Sequence, residues 1–153
     1  MKMSLMVEAP DKQPYLRVVN YDVVPIPEND NFANAYKITG FDDVAEGFNT
    51  FATLEASEPN HAESLGQAGS LWWNWSPPAD GMLYADAAGS DGEMVLAVYV
   101  GTDLESAVRI ADSAPVDGER PNYVQWEGKR GRTYHIAVAS LTCLLYTSDA
   151  ADE

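Results

Sequence analysis

The sequence predicts an all-β protein: an antiparallel β-sandwich or jelly roll with one short helical turn near residues 30–37. Short apolar and β-branched runs recur between Gly, Pro and Asp turns, and no long segment has helical periodicity. The most informative stretch is residues 70–86, which holds three of the four tryptophans. A Pro-Pro-Ala-Asp-Gly turn divides it into two alternating runs. We therefore expect two strands joined by a tight corner, a tryptophan hairpin at the aromatic centre of the sandwich.

The first of these strands has two faces of different character. Because successive side chains of a strand point to opposite faces, Leu71, Trp73 and Trp75 share one face and Trp72 lies on the other. We predict that Trp73 and Trp75 are core residues. Trp72, which sits among small polar neighbours, has two interpretations: a binding platform, or a ring covered by a neighbouring loop.

Composition limits the size, the partners and the location of the protein. With 153 residues and 46% hydrophobic content, the chain can bury one core, which indicates one domain. The net charge of -15, from nine basic and 24 acidic residues, argues against nucleic acid and anionic lipid as partners. No apolar run approaches the roughly 20 residues that span a bilayer. The apolar core of the first eight residues is too short for a secretion signal.

The chain divides into three parts. Residues 1–27 are interpreted as a linker or the end of a preceding unit; they include a candidate strand at 15–24 and end in Pro-Ile-Pro. The domain occupies residues 28–142. At its start, Asp30 or Asn31 is expected to cap a short helical turn that buries Phe32, Ala35 and Tyr36.

The remaining elements of the domain are short strands and one exposed loop. The loop is expected at residues 56–69, and residues 94–100, a continuous apolar run, are expected to form an inner strand covered on both faces. In the last strand, Tyr134 and Ile136 share one face with Val138, which leaves His135 pointing outward. Further strands are predicted at 48–55, 107–111, 123–127 and 132–138.

The last eleven residues resemble a translated laboratory sequence. Residues 143–153, Cys-Leu-Leu-Tyr-Thr-Ser-Asp-Ala-Ala-Asp-Glu, read like the adapter of a transposase-based sequencing library. On this interpretation the native sequence stops near Thr142, and Cys143, the only cysteine, is foreign. The alternative is a native strand at 141–147 followed by an acidic tail.

Five motifs in order resemble the bacterial pre-peptidase C-terminal (PPC) domain family, and the similarity runs from about Glu28 to Val138. The motifs are Asn-Asp-Asn-Phe-Ala-Asn-Ala at 29–35, Glu-Pro-Asn-His-Ala at 58–62, Ser-Leu-Trp-Trp-Asn-Trp-Ser-Pro-Pro-Ala-Asp-Gly at 70–81, Val-Leu-Ala-Val-Tyr-Val-Gly at 95–101 and Gly-Arg-Thr-Tyr-His-Ile-Ala-Val at 131–138. The resemblance implies a non-catalytic β-sandwich module, exported as part of a larger extracellular or cell-surface polypeptide. It also implies one further strand, which a foreign tail at Cys143 would have replaced.

The resemblance raises the question of a calcium site. Some family members bind calcium through acidic and amide side chains near the start of the domain. Asn29 and Asp30 match part of that pattern, and Glu55 or Glu58 would supply loop carboxylates, since Ca²⁺ takes oxygen ligands. This chain departs from the pattern just upstream, where Pro25 and Pro27 replace further acidic residues. The alternative role for Asp30 is the helix cap.

The sequence predicts no enzyme. Its only histidines are His61 and His135, and it contains neither a Gly-x-Ser-x-Gly elbow nor the spacing of a zinc site. The leading hypothesis is an accessory module that attaches a secreted or surface protein to an extracellular polymer or to neighbouring domains of its own polypeptide. One alternative is a carbohydrate- or collagen-binding domain with an aromatic platform; the other is a structural spacer in a repeat array. The candidate platform residues are Trp72, Tyr84, Tyr123 and Trp126.

Overall fold

The computed structural model describes residues 2–7, 15–20, 25–40, 43–61, 67–113 and 123–141. Within these ranges the chain forms nine β-strands, and its helical structure is one 3-10 turn at Phe32–Asn34. The strands are β1 (Lys2–Val7), β2 (Tyr15–Asn20), β3 (Tyr36–Ile38), β4 (Gln67–Trp75), β5 (Gly81–Asp86), β6 (Met94–Val100), β7 (Val108–Asp112), β8 (Tyr123–Gly128) and β9 (Tyr134–Leu141). The prediction of an all-β protein with one short helical turn is confirmed. No helix in these ranges has the length and apolarity to cross a membrane.

Seven strands form the two sheets of a β-sandwich. The larger sheet has the order β3-β4-β9-β6-β7, and the smaller sheet pairs β5 with β8. These pairings are antiparallel, except that β3 runs parallel to β4. Parallel neighbours need a long connection, which residues 39–66 provide.

The main core lies between the two sheets. Trp75 of β4 packs there with Leu83 of β5, Leu96 of β6, Trp126 of β8 and Tyr134 of β9. Along β8, exposed and buried residues alternate strictly, because one face of that strand is buried against the core. Trp73 and Trp75 are both buried, as predicted.

The five-stranded sheet is covered on its second face as well. Residues 25–35 and 48–61, which we call the covering segment, provide this cover. Phe32 of this segment packs against Trp72 and Tyr99, which point away from the main core. Because both faces of the sheet are covered, all residues of β6 from Met94 to Tyr99 are buried. The prediction of an inner strand at 94–100 is confirmed.

The tryptophan stretch is a corner between sheets and not a hairpin. β4 belongs to the five-stranded sheet and β5 to the two-stranded sheet, so the predicted pairing of the two is wrong. The backbone N–H of Gly131 donates to the Pro77 carbonyl at 2.9 Å, and that of Arg130 donates to Asp80 Oδ1 at 2.7 Å. The corner is therefore held by the turn before β9, and it carries the chain from one layer to the other.

The covering segment differs most from the prediction. Residues 48–55 form turns and irregular structure, so the predicted strand there is wrong. Phe51 has a φ of 66°, in the left-handed region that interrupts a strand. The segment meets β4 through the Ser70 N–H and the Thr53 carbonyl, 3.3 Å apart, instead of through a ladder. Just before this segment, Gly47 approaches the other face of β4 closely, since a Cβ there would lie 2.7 Å from Leu71 Cδ1.

Two details of the helical turn also differ from the prediction. Asn31 is the N-cap residue but makes no side-chain capping bond, and Asp30 bonds to Thr53 instead of capping the turn. Tyr36, predicted to be buried, is 42% exposed, whereas Phe32 is buried as expected. The turn is stabilised by packing and by contacts with distant residues of the covering segment.

The first 27 residues contain a pair of antiparallel strands. β1 and β2 pair from Lys2 opposite Asn20 to Val7 opposite Tyr15. A strand was predicted near β2, but β1 falls where only a linker or the end of a preceding unit was expected. The interpretation of residues 143–153 as foreign sequence lies outside the described residues.

Candidate functional site

Trp72, the first candidate for a platform, is enclosed by aromatic neighbours. Its side chain is fully buried. The rings of Phe32, His61 and Tyr99 surround it with centroid distances of 5.1, 5.3 and 5.6 Å. Trp72 therefore presents no ring face to a ligand, and the structure matches the interpretation in which a neighbouring loop covers it.

Trp126 is also part of the interior. It lies between the sheets, 6.4 Å from the Trp75 ring and 5.7 Å from the Tyr134 ring, measured between centroids. Only 5% of its surface is exposed. Trp126 belongs to the packing of the sandwich, and its placement in an exposed platform is wrong.

Tyr84 and Tyr123 form an exposed aromatic pair. Tyr84 of β5 and Tyr123 of β8 lie on the outer face of the two-stranded sheet, with ring centroids 5.3 Å apart and planes at 24°. Desolvation, the negative charge of Asp86 and the neighbouring Tyr123 phenol raise the pKa of Tyr84, so its hydroxyl stays neutral near pH 7. The same face continues with Met82 and Gln125, which are also exposed. The structure thus brings together two of the four predicted platform residues.

Asn29 and Asp30, predicted as calcium ligands, are buried residues whose hydrogen bonds hold the covering segment in place. The Asn29 side-chain amide donates to the Trp72 carbonyl at 3.1 Å, and the Trp72 N–H donates to the Asn29 carbonyl at 2.9 Å. The Asp30 carboxylate accepts from the Thr53 N–H at 2.5 Å and from the Thr53 hydroxyl at 2.6 Å. These bonds supply the partners that buried polar groups require.

Glu55 and Glu58 lie in the same layer and also bond to protein donors. Glu55 Oε2 accepts from the Phe32 N–H at 2.7 Å, and Glu58 Oε2 accepts from the Glu55 N–H at 2.9 Å. Among the described residues, no group of three or more His, Cys, Asp or Glu side chains is arranged to hold a metal ion. The fold therefore brings the four predicted ligands into one layer. There the three carboxylates accept from backbone and side-chain donors, and the Asn29 amide donates to the Trp72 carbonyl.

A hydroxyl–imidazole–carboxylate chain was not predicted as a unit. Tyr99 Oη lies 2.6 Å from His61 Nδ1, and His61 Nε2 lies 2.8 Å from Glu58 Oε1. Ser70 Oγ donates to the same Glu58 oxygen. The contacts fit the tautomer in which the His61 Nε2–H donates to the Glu58 carboxylate and Nδ1 accepts from the Tyr99 hydroxyl. Burial raises the pKa of Tyr99 well above its usual range.

This series of hydrogen-bonded side chains resembles a nucleophile with its base, but solvent does not reach it. Tyr99 and His61 are each 1% exposed, and the Glu58 side chain is completely shielded. A substrate therefore has no access to the Tyr99 hydroxyl in this structure. The arrangement joins the covering segment to β4 and β6. The only part of this arrangement visible in the sequence is the spacing of Glu58 and His61, which lie three residues apart in a turn-rich loop.

His135 was predicted to point outward, and its environment differs from that prediction. Its ring stacks on Phe32 at a centroid distance of 4.2 Å, beneath the covering segment. Burial lowers the pKa of His135, an effect that a hydrogen bond with the Gly101 backbone opposes. His135 is thus a partly buried packing residue that favours the neutral form.

A shallow groove opens at the start of the covering segment. It has a volume of about 740 Å³ and lies between residues 26–36 and Thr53. Its walls include Ile26, Glu28 and Tyr36, together with the amide side chains of Asn31 and Asn34. The Tyr36 hydroxyl donates to Glu28 Oε2 at 2.9 Å across this opening. No residue of the groove except Asp30 was singled out from the sequence as a ligand.

Comparison with known proteins finds no relative of this chain. No protein-family model, curated protein or solved structure matches the chain. The fold defines the class: an all-β sandwich with a covered second face and an exposed tyrosine pair. The resemblance to the pre-peptidase C-terminal family remains a prediction.

Proposed function

We propose that this chain is a non-catalytic accessory module of a larger secreted or surface protein, which it attaches to an extracellular polymer. The observation that carries the proposal is the stacked pair of Tyr84 and Tyr123 on an outer sheet face. Exposed aromatic side chains supply a large amphipathic contact area at a small cost in conformational entropy. A sheet face is also rigid, so the contact surface exists before the polymer arrives.

The non-catalytic part of the proposal is supported by the placement of the reactive groups. His61 lies in a sealed hydrogen-bonded chain with Tyr99, and His135 stacks beneath the covering segment. A general base must come within hydrogen-bond reach of the proton that it abstracts from a substrate. Neither imidazole offers that reach at the surface.

The chemistry of the tyrosine face favours neutral polymers. The two phenol rings present apolar surface and hydroxyl groups, and Gln125 adds an amide between the flanking Asp86 and Glu127. These carboxylates and the net charge of -15 repel anionic chains. The two polymers that fit this face are therefore neutral polysaccharides and collagen. Collagen strands are extended and rich in proline, and proline-rich segments dock on aromatic-lined grooves.

The test is co-sedimentation of the full chain with insoluble polysaccharides and with collagen fibrils. We expect one of these polymers to retain the protein, and the double variant Tyr84→Ala/Tyr123→Ala to weaken binding by about tenfold or more, as for an aromatic anchor. Phe48→Ala is the matched control, because Phe48 is an exposed aromatic residue of the covering segment. Retention that is equal in the double variant and the wild type would contradict the proposal.

A structural spacer is the alternative function, and the same experiment separates it. A spacer needs the sandwich but no exposed binding face, so none of the polymers would retain the chain. That result would replace attachment with the spacer function.

A further inference from the structure

The groove at the start of the covering segment is a second candidate for binding, independent of the tyrosine pair. It lies against the covered face of the five-stranded sheet, whereas Tyr84 and Tyr123 lie on the outer face of the other sheet. Its walls combine the Tyr36 ring with two carboxylates, of Glu28 and Asp30, and with two amides, of Asn31 and Asn34. Concave sites for small ligands have this character, with a few polar groups that converge on an apolar wall.

The walls of the groove are fixed although they contain little regular structure. Asn29 joins Trp72 of β4 through two hydrogen bonds, one from each residue, and Asp30 joins Thr53 through two more. Asn29 and Asp30 are both buried. Residues 28–31 are therefore held against β4 and against residue 53 on the opposite wall. A site whose walls are already ordered loses less entropy when a ligand binds.

The aromatic wall is fixed in the same way. Tyr36 is 42% exposed, and its hydroxyl bonds to Glu28 Oε2 at 2.9 Å. This bond is the main reason that the pKa of Tyr36 is raised, so the ring stays neutral and oriented. Within the described part of the chain, Glu28 Oε1 and the side-chain amides of Asn31 and Asn34 make no hydrogen bond. One acceptor and two groups that both donate and accept therefore face the opening.

We propose that this groove binds a neutral sugar residue of a glycan. A pyranose ring has an apolar face, which suits the Tyr36 ring, and a rim of hydroxyl groups that donate and accept, which suits the amides and Glu28. Carboxylates at Glu28 and Asp30 disfavour an acidic sugar. A bare metal ion does not fit, because it leaves the amide N–H groups without an acceptor. The described residues also hold no group of three or more His, Cys, Asp or Glu side chains arranged for a metal ion.

The test is a titration of the full chain with soluble neutral hexasaccharides: cellohexaose, xylohexaose, laminarihexaose and chitohexaose. Hexagalacturonate serves as the acidic probe. Binding is measured by calorimetry and mapped by amide NMR, and the Asn31 and Asn34 side-chain signals are the local reporters. We expect at least one neutral hexasaccharide to bind and to shift these signals.

Two variants decide whether the groove is responsible. Tyr36→Ala should weaken binding by about tenfold or more, because it removes the ring that meets the sugar face. Tyr36→Phe should retain most of the affinity, since it keeps the ring and loses only the bond to Glu28. The thermal midpoint of each variant, compared with wild type, shows that the fold is intact. If Tyr36→Ala unfolds, Asn34→Ala provides the same test at an exposed position.

Four results would overturn the inference. The first three are the absence of binding to all four neutral probes, unchanged affinity in the folded Tyr36→Ala variant, and equal affinity for hexagalacturonate. The double variant Tyr84→Ala/Tyr123→Ala should leave hexasaccharide binding unchanged. Loss of binding in that variant would move the sugar site to the outer face of the two-stranded sheet and would also overturn the inference.

Discussion

Glu58 Oε1 lies 2.8 Å from His61 Nε2, and both side chains are completely shielded from solvent. The same oxygen accepts from Ser70 of β4, and the other carboxylate oxygen accepts from the Glu55 N–H. Through His61, the arrangement continues to the Tyr99 hydroxyl on β6. One carboxylate thus connects the irregular covering segment to two strands of the five-stranded sheet.

Replacement of Glu58 by Ala should strongly destabilise the protein. It would leave three donors, on His61, Ser70 and Glu55, without an acceptor in the interior. Each such group costs about 1–3 kcal/mol, so we expect the free energy of unfolding to fall by about 3 kcal/mol or more. Urea unfolding followed by circular dichroism measures this change.

Two further variants test this interpretation. Ser70→Ala removes one donor and leaves the carboxylate with its other partners, so the expected loss is about 1 kcal/mol. Glu127→Gln is the exposed control. Among the described residues the Glu127 side chain bonds only to the exposed Lys129, so its replacement should not measurably change stability. Equal losses in Glu58→Ala and Glu127→Gln would show that the buried network does not stabilise the fold.

Gly47 should be intolerant of a side chain. A Cβ there would lie 2.7 Å from Leu71 Cδ1 and 2.8 Å from the Trp73 ring. Gly47→Ala therefore forces a well-packed contact apart, and such overpacking costs about 1–3 kcal/mol. Gly81→Ala is the matched control, because no atom of the described residues outside its chain neighbours lies within 4 Å of a Cβ at Gly81, and its change should stay within about 0.5 kcal/mol. The contact is refuted if both variants unfold at the same urea concentration.

The strands of the sandwich could be predicted from alternation, but the covering segment could not. Buried faces leave a period of two in the sequence, as in β8, and double burial leaves the continuous apolar run of β6. Phe48 and Phe51 have the composition of a strand, yet the covering segment is held by individual hydrogen bonds such as those between Asp30 and Thr53. These bonds join residues that are distant in sequence, and no local pattern encodes them.

The difference between local patterns and long-range contacts also explains which of the candidate platform residues are exposed. Alternation correctly put Trp72 on the face opposite Trp73, but only the position of the covering segment decides whether that face is open. Trp126 was placed in the platform although its strand alternates, because one strand alone does not show which face meets the core. Tyr84 and Tyr123 were named separately, and the pairing of β5 with β8 brings them into contact.

All four tryptophans should be protected from a neutral quencher. Trp72, Trp73, Trp75 and Trp126 are each no more than 8% exposed. Their emission should therefore be blue-shifted and weakly quenched by acrylamide, and unfolding in guanidinium should shift it to the red and make quenching efficient. Strong quenching of the folded protein would show that at least one indole is open to water. For the same reason, ligand binding at Tyr84 or Tyr36 requires a readout other than tryptophan emission.

Calcium should leave the stability of the folded protein unchanged. The Asp30 and Glu58 carboxylates each accept two or more hydrogen bonds from protein donors, which a bound ion would have to displace. Extracellular calcium modules bind with dissociation constants of about 10⁻⁴ M, and a site of that affinity would add about 2.7 kcal/mol of stability at about 10 mM calcium. Thermal unfolding with calcium and with a chelator measures the difference. A rise in the midpoint that Glu55→Gln abolishes would instead support the predicted calcium site.

The partly buried His135 should make the protein less stable in mild acid. Its imidazole titrates near pH 6.5 in an unfolded chain, and burial lowers its pKa in the fold. Between the two pKa values the unfolded chain binds a proton that the folded chain does not, so stability falls as the pH drops below about 6.5. His135→Phe keeps a ring against Phe32 and cannot titrate. Urea unfolding between neutral pH and about pH 5 should therefore show a shallower loss of stability in the variant than in the wild type, because the variant lacks this proton uptake. Parallel curves for the two proteins would mean that His135 does not contribute to the pH dependence.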